Sequence, residues 1–134
     1  MADRPQVISE HYPYVPIRFA VGGAARTLEA MVDTGFDGAL IVPESVADQL
    51  PTEDEWTPWR LADGSVIWMP LYRATLQVGN FASFVGAMHV VGDEYLVGRA
   101  VIDRFSVTFD HGQSYRPTRA ADFGRAAVPM FVQW

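Results

Sequence analysis

Turn signals recur at short intervals along this 134-residue chain and divide it into short apolar runs. Each signal contains glycine, and the runs between them are rich in valine, isoleucine, phenylalanine, tyrosine and leucine. The signals are Gly22-Gly23, Asp37-Gly38, Asp63-Gly64, Gly79-Asn80, Gly92-Asp93 and His111-Gly112. Short apolar runs separated in this way predict an all-β domain.

The runs themselves give the predicted elements. Residues 15–21 and 26–32 flank Gly22-Gly23 and predict a first hairpin. Further strands are predicted at 39–42, 66–69, 71–78, 84–91 and 105–109, and two short helices at 44–50 and 99–105. Residues 51–59 are acidic and bounded by prolines, which predicts a loop. The apolar tail at 128–134 is expected to pack on its own core or on another subunit, because an exposed patch of this kind is unfavourable.

Length and composition limit what the chain can do. At 134 residues and 49% apolar composition it has enough material for one domain with a hydrophobic core, taken here as 1–134. The net charge of −6 argues against a nucleic-acid partner, which usually requires a basic face. No apolar stretch approaches the length of a membrane span and no signal peptide is visible, so we expect no membrane partner and a cytoplasmic location.

The sequence contains few of the residue patterns that bind metals or cofactors. Cysteine is absent, which removes disulfides and thiolate sites. The three histidines, His11, His89 and His111, are scattered, with no second ligand at a metal-binding spacing. We therefore expect them in loops or on the surface, and we expect neither a metal nor a cofactor.

The triplet Asp33-Thr34-Gly35 follows directly on the apolar strand predicted at 26–32. A carboxylate at a strand end has the rigid seat that a general acid or base needs. The Thr34 hydroxyl can donate and accept, and Gly35 permits close approach and unusual backbone angles. The alternative is a plain turn, because all three residues are common turn formers.

A second segment, Tyr95 to Phe105, is a further motif that supports a functional interpretation of the triplet. It places an apolar pair before Gly98-Arg99 at the start of a predicted short helix. Together with Asp33-Thr34-Gly35, this segment makes the chain resemble a retroviral-type (retropepsin-like) aspartic protease of the single-domain bacterial branch. The resemblance covers about residues 14–110 and leaves 111–134 as a C-terminal extension. It implies a small closed barrel-like domain that forms half of a homodimer.

The resemblance also implies supporting and substrate-binding residues. An acidic residue four positions after the catalytic aspartate pairs with the arginine of the Gly-Arg segment, which here matches Asp37 and Arg99. The alternative interpretation is that Asp37 is simply a turn residue before Gly38. A flap hairpin is expected at 61–68 with its tip at Asp63-Gly64, although it holds fewer glycines than retroviral flaps; a surface hairpin whose tryptophans pack on the core is the alternative. The predicted substrate-binding residues are Phe36, Gly38, Leu40, Ala62, Asp63, Gly64, Ser65 and Trp68.

The implied function is cleavage of polypeptides by an aspartic endopeptidase. Catalytic roles fall on Asp33, Thr34 and Gly35, with structural support from Asp37, Gly98 and Arg99. Two copies of Asp33, one from each subunit, would activate a water molecule. A non-catalytic peptide- or protein-binding module on the same fold is one alternative. An unrelated small β domain is another.

Overall fold

The computed structural model describes residues 6–9, 11, 13–109 and 130–133. The strands in these residues are β1 (Gln6–Ser9), β2 (Tyr14–Val21), β3 (Ala24–Val32), β4 (Leu40–Val42), β5 (Glu55–Arg60), β6 (Val66–Val78), β7 (Phe84–Val90), β8 (Leu96–Val97), β9 (Ser106–Phe109) and β10 (Met130–Gln133). A 3₁₀ helix at Glu44–Gln49 and a short helix α1 (Arg99–Ile102) complete the described elements. The predicted all-β class with two short helices is confirmed.

Six of these strands close into a barrel. They run in the order β2-β3-β8-β4-β7-β6, and pairing between β2 and β6 closes the ring. Among the described strands, β5 pairs with β6 alone and extends beyond the closed part as one arm of a hairpin. A separate sheet places β10 between β1 and β9. Residues 130–133 of the apolar tail therefore form backbone pairs within their own chain, whereas 110–129 lie outside the described residues.

Alternation of apolar side chains fills the barrel. Along β2 the buried residues are Val15, Ile17, Phe19 and Val21, and along the later part of β6 they are Tyr72, Ala74, Leu76 and Val78. Every second residue of a strand points to the same face, so each strand presents one apolar face to the interior. Burial of these faces supplies the main driving force for closure.

Strand β6 is continuous where two strands were predicted. Pro70 lies inside it, at the point where pairing with β7 has not yet begun. Proline lacks an amide hydrogen, but at this position only the β5 side of the strand is paired, so the missing donor breaks no ladder on the other side. The alternation of buried residues also shifts here by one position: Met69 is buried before the proline, and Tyr72 begins the buried series after it. Residues 66–69 thus belong to the hairpin and residues 72–78 to the barrel.

The predicted loop at 51–59 is wrong over most of its length. Strand β5 begins at Glu55 and runs to Arg60, paired with β6 from Leu71 to Val66. Acidic residues and Pro58 suggested a loop, but β5 is a sheet edge, where proline and charge are tolerated. The short strands β1 and β8 were also not predicted. Among the described residues, no helix is both long and apolar enough to cross a bilayer.

Candidate active site

Asp33 lies immediately after β3, on a loop that joins β3 to β4. Its amide donates to the carbonyl of Val97 at 2.9 Å, so β8 fixes the backbone of Asp33. Its carboxylate Oδ1 accepts a hydrogen bond from the Gly35 amide at 2.9 Å. This is the geometry of an Asx turn, so the turn interpretation of the triplet describes the local structure correctly. The side chain remains half-buried, while Thr34 and Gly35 are exposed.

Gly35 does not adopt the unusual backbone angles expected of it, because its φ is not in the left-handed region. Its role in this loop is close approach. A Cβ at this position would lie 3.3 Å from Oδ1 of Asp33. A side chain here would therefore crowd the carboxylate.

The strands on either side of the Asp33 loop are not neighbours in the sheet. Strand β8 lies between them, parallel to β3 and antiparallel to β4. The loop must arch over the end of β8, where Gly98 and α1 begin. This topology brings the two sequence segments of the resemblance, Asp33-Thr34-Gly35 and Gly98-Arg99, to one place.

Backbone hydrogen bonds hold the loop to the start of α1. The amide of Gly98 donates to Ala39 at 2.9 Å, that of Arg99 to Phe36 at 2.8 Å and that of Ala100 to Gly38 at 3.1 Å. Gly98 is buried in this contact. A Cβ on it would lie 2.3 Å from the carbonyl oxygen of Gly38 and 2.6 Å from that of Phe36. Only glycine fits at this position.

The predicted pair between Asp37 and Arg99 is present. Nη1 of Arg99 lies 3.4 Å from Oδ1 of Asp37. Both side chains are more than half exposed, at 73% for Asp37 and 54% for Arg99. An exposed ion pair of this kind contributes about 0–1 kcal/mol. The backbone bonds of Gly98, Arg99 and Ala100, rather than this pair, therefore hold the loop.

The predicted hairpin forms between β5 and β6. Its turn is closed by the Leu61 amide, which donates to Ser65 at 2.8 Å, and by the Gly64 amide, which donates to Leu61 at 2.9 Å. Gly64 has a φ of +86°, which glycine adopts readily. Hydrogen bonds from the hydroxyl and amide of Ser65 lower the pKa of Asp63. The tip residues Ala62, Asp63, Gly64 and Ser65 are all exposed. In the described part of the chain, no hydrogen bond joins the tip to the Asp33 loop.

The two faces of the hairpin differ. The ring of Trp59 packs against Phe36 of the Asp33 loop, with centroids 5.1 Å apart. Ile67 pairs with Trp59 across the hairpin and so shares its face. Trp68 is 63% exposed and lies on the opposite face with Trp56. Trp68 therefore points away from the Asp33 loop, which argues against its predicted contact with a substrate beneath the hairpin.

Leu40 is misassigned as a substrate-binding residue. Its exposed fraction is 0%, and it packs inside the barrel core. Phe36 is 8% exposed, and its ring covers Gly38, where a Cβ would lie 2.4 Å from Cζ. Phe36 therefore packs the loop against Gly38 and Trp59, and Leu40 anchors the start of β4 in the core.

His89 was expected in a loop or at the surface, and this expectation is wrong. It lies in β7, is 2% exposed and packs edge-on against Trp59 at a centroid distance of 5.1 Å. The indole Nε1 of Trp59 donates to Nε2 of His89 at 3.2 Å. Burial lowers the pKa of His89. Its place between Met88 and Val90, inside a predicted strand, was the signal that could have indicated burial.

Metal binding has no visible site in the described ranges, where no three histidine, aspartate or glutamate side chains form a possible cluster. No protein-family model matches the chain, and no curated protein matches it either. Among solved structures, the chain is similar to the crystal structure of a retropepsin-like aspartic protease from Rickettsia conorii. The TM-score is 0.60 at 16% sequence identity, and the match covers 98% of this chain and 92% of the other. The chain thus has a retropepsin-like fold.

Replacing Gly98 by alanine should destabilise the protein by about 3 kcal/mol, because the new Cβ would overlap two backbone carbonyl oxygens that cannot rotate away. Urea unfolding measures this change. Gly23→Ala is the matched control, since a Cβ added at Gly23 would meet nothing within 4 Å and the φ of this residue is not left-handed. Equal stability of the two variants would contradict the close contact at Gly98.

Stability should fall as the pH drops below about 6.5, because the unfolded state takes up a proton on His89 that the folded state resists. Each unit of pKa depression corresponds to about 1.4 kcal/mol. The loss ends at the folded pKa, below which both states are protonated. His89→Gln should flatten this part of the profile of unfolding free energy against pH. His11→Gln, at an exposed histidine paired with Glu29, should retain it; a profile identical in wild type and His89→Gln would contradict the assignment.

Proposed function

We propose that this chain is one half of a homodimeric aspartic endopeptidase, with Asp33 as the catalytic carboxylate of each subunit. The main support for the proposal is the position of Asp33 within a retropepsin-like fold. The residue follows the last position of β3, its amide is bonded to β8, and its loop is bonded to Gly98, Arg99 and Ala100. A reacting group held on such a rigid frame is well placed for acid–base catalysis.

A second copy of the chain is part of the proposal because each chain carries one Asp-Thr-Gly triplet. Within the described residues, the Gly35 amide is the only hydrogen-bond donor to the Asp33 carboxylate, and it uses Oδ1. The remaining oxygen is available to a water molecule and to a second carboxylate. Two carboxylates in contact share one proton, because both cannot ionise easily at short range.

The proposed mechanism uses this shared proton. The ionised Asp33 takes a proton from a water molecule, and the water oxygen attacks the carbon of the peptide carbonyl. At the same time the carbonyl oxygen accepts a proton from the other Asp33. Proton transfer to the amide nitrogen then releases the amine product. The pair titrates as a unit, so its pKa values belong to the dimer. Thr34, as the resemblance implies, would brace the loop of the opposite subunit.

A substrate would bind as an extended strand beneath the hairpin. The tip at 62–65 and the face that carries Trp59 and Ile67 are the parts that would cover it, because this face is turned toward the Asp33 loop through Phe36. Backbone hydrogen bonds to an added strand would give affinity with little dependence on sequence.

Asp33→Asn should lower peptidase activity by about 10³-fold, because asparagine cannot act as acid or base. The fold should persist, since the amide oxygen of asparagine can still accept the Gly35 hydrogen bond. Cleavage of an unfolded protein substrate, followed by mass spectrometry, measures activity, and sedimentation measures dimerisation. Asp48→Asn, at an exposed acid of the 3₁₀ helix, is the matched control.

Full activity of purified Asp33→Asn would contradict the assignment. An inactive wild type that nevertheless binds peptide, with the same affinity in Asp33→Asn, would instead support a binding module on this fold.

The hairpin makes a separate prediction. Ile67→Ser should raise KM about 10-fold, because it removes an apolar contact from the face turned toward the loop. Trp68→Ser should leave KM within about twofold, since its side chain lies on the opposite, exposed face. Steady-state kinetics on a fluorogenic peptide compares the two. A larger effect from Trp68→Ser would reverse the assignment of the faces.

A further inference from the structure

A cleft of about 350 Å³ lies between β5, β7 and the segment that follows α1. Asp33 does not line it, and Gly38 is the one residue on its wall that the sequence predicted as part of the active site. Much of the wall is apolar, with contributions from Ala39, Leu71 and Ala87. A cavity of this size with few polar groups has the character of a small-molecule site.

Arg104 supplies the cleft with a positive charge. Its guanidinium carbon lies 4.2 Å from the centroid of the Phe84 ring, so the aromatic face fixes its position. Both residues line the cleft. Within the described residues, the ion pairs involve His11, Glu29, Arg99 and Asp37, and no carboxylate neutralises Arg104. A guanidinium placed over a ring keeps N–H groups free for other partners, and a carboxylate can engage two of them at once.

His89 supplies the cleft wall with a buried donor. The Trp59 indole N–H is shared between Oγ1 of Thr57 and Nε2 of His89, each at 3.2 Å. Because an indole can only donate, Nε2 accepts, which places the ring proton of the neutral form on Nδ1. This Nδ1 has no hydrogen-bond partner in the described part of the chain, and the residue is 2% exposed. Buried polar groups in folded proteins nearly always have a partner. His89 lines the cleft while Nδ1 itself is buried, so an acceptor bound in the cleft would satisfy this N–H after a small shift of the wall, directly or through one water.

We propose that this cleft binds a small organic carboxylate with an apolar body. The carboxylate pairs with the Arg104 guanidinium, and the hydrogen-bond network of the bound state extends to Nδ1 of His89. The apolar body lies against Ala39, Leu71 and Trp59. The free acid of a small metabolite and the terminal carboxylate of a short peptide share this chemistry. Asp33 takes no part in this site, although Trp59 also belongs to the hairpin face proposed to cover a peptide substrate.

The experiment titrates the full chain with 3-phenylpropionate and with its neutral analogue 3-phenylpropanamide. Chemical shifts of the Trp59 indole and the His89 ring report binding. Trp59→Phe identifies the indole signal. Saturable shifts of both groups are expected, with at least 10-fold tighter binding of the acid than of the amide. Asp33→Asn should bind the acid as wild type does, whatever its effect on peptidase activity.

Variants test the role of the charge. Arg104→Gln should weaken binding of the acid at least 10-fold and leave binding of the amide unchanged. Arg18→Gln is the matched control, because Arg18 is an exposed arginine on β2 and does not line the cleft. Acetylated glycyl-phenylalanine, with a free or an amidated C-terminus, identifies the source: tighter binding of its acid than of 3-phenylpropionate indicates peptide ends, and weaker binding indicates free acids.

Three results would overturn the proposal. One is the absence of saturable shifts at Trp59 and His89 with the acid. Another is equal affinity for acid and amide, which indicates apolar contact without recognition of the charge. The third is unchanged binding of the acid in Arg104→Gln, which places the carboxylate elsewhere.

Discussion

The contact between Gly98 and the Asp33 loop is the constraint on which the rest of the site depends. The loop leaves β3, passes over the end of β8 and returns as β4, and it meets Gly98 with no room for a Cβ. Three successive amides, at 98, 99 and 100, donate to three carbonyls of the loop. These bonds satisfy loop carbonyls that would otherwise be buried without partners. Backbone hydrogen bonds therefore fix the position of Asp33, and the ion pair between Asp37 and Arg99 contributes little.

Phe36 links the Asp33 loop to the hairpin. Its ring covers Gly38 and contacts Trp59 of β5, and it lies 6.5 Å from the ring of His89. The end of the hairpin next to its turn, where Trp59 pairs with Ile67, is thus packed against the same loop that carries Asp33. Protonation of His89 would place a charge inside this aromatic cluster and remove one of the two acceptors of the Trp59 indole, leaving Oγ1 of Thr57. Conditions that charge His89 should therefore loosen the packing of Trp59 in the hairpin as well as lower stability.

The parts of the fold that were predictable are those with local chemical signals. Gly22-Gly23 and Asp63-Gly64 identify hairpin turns because glycine permits their backbone angles, and alternation identifies β2 and the later half of β6. The junction of Asp33 with Gly98-Arg99 was predictable only through the family resemblance, because spacing alone does not reveal that β8 inserts between β3 and β4.

The errors have a common physical origin in tertiary packing. Leu40 follows the triplet closely, yet the barrel buries it completely. Trp68 is near the hairpin tip, but strand alternation turns it outward once β6 fixes the register. Residues 55–59 of the predicted loop belong to β5, because an edge strand accepts proline and acidic residues. The burial of His89 depends on Trp59, which comes from a distant part of the chain.

The most direct test of the proposed site is a crystal structure of the protein in the state in which it is active. If Asp33 is the shared catalytic group, two copies will face each other across a two-fold axis with carboxylate oxygens about 2.5–3.0 Å apart. Loops held by Gly98 in each subunit should flank the pair. An active protein whose Asp33 carboxylates lie far apart, or whose chain is a monomer, would contradict the proposal.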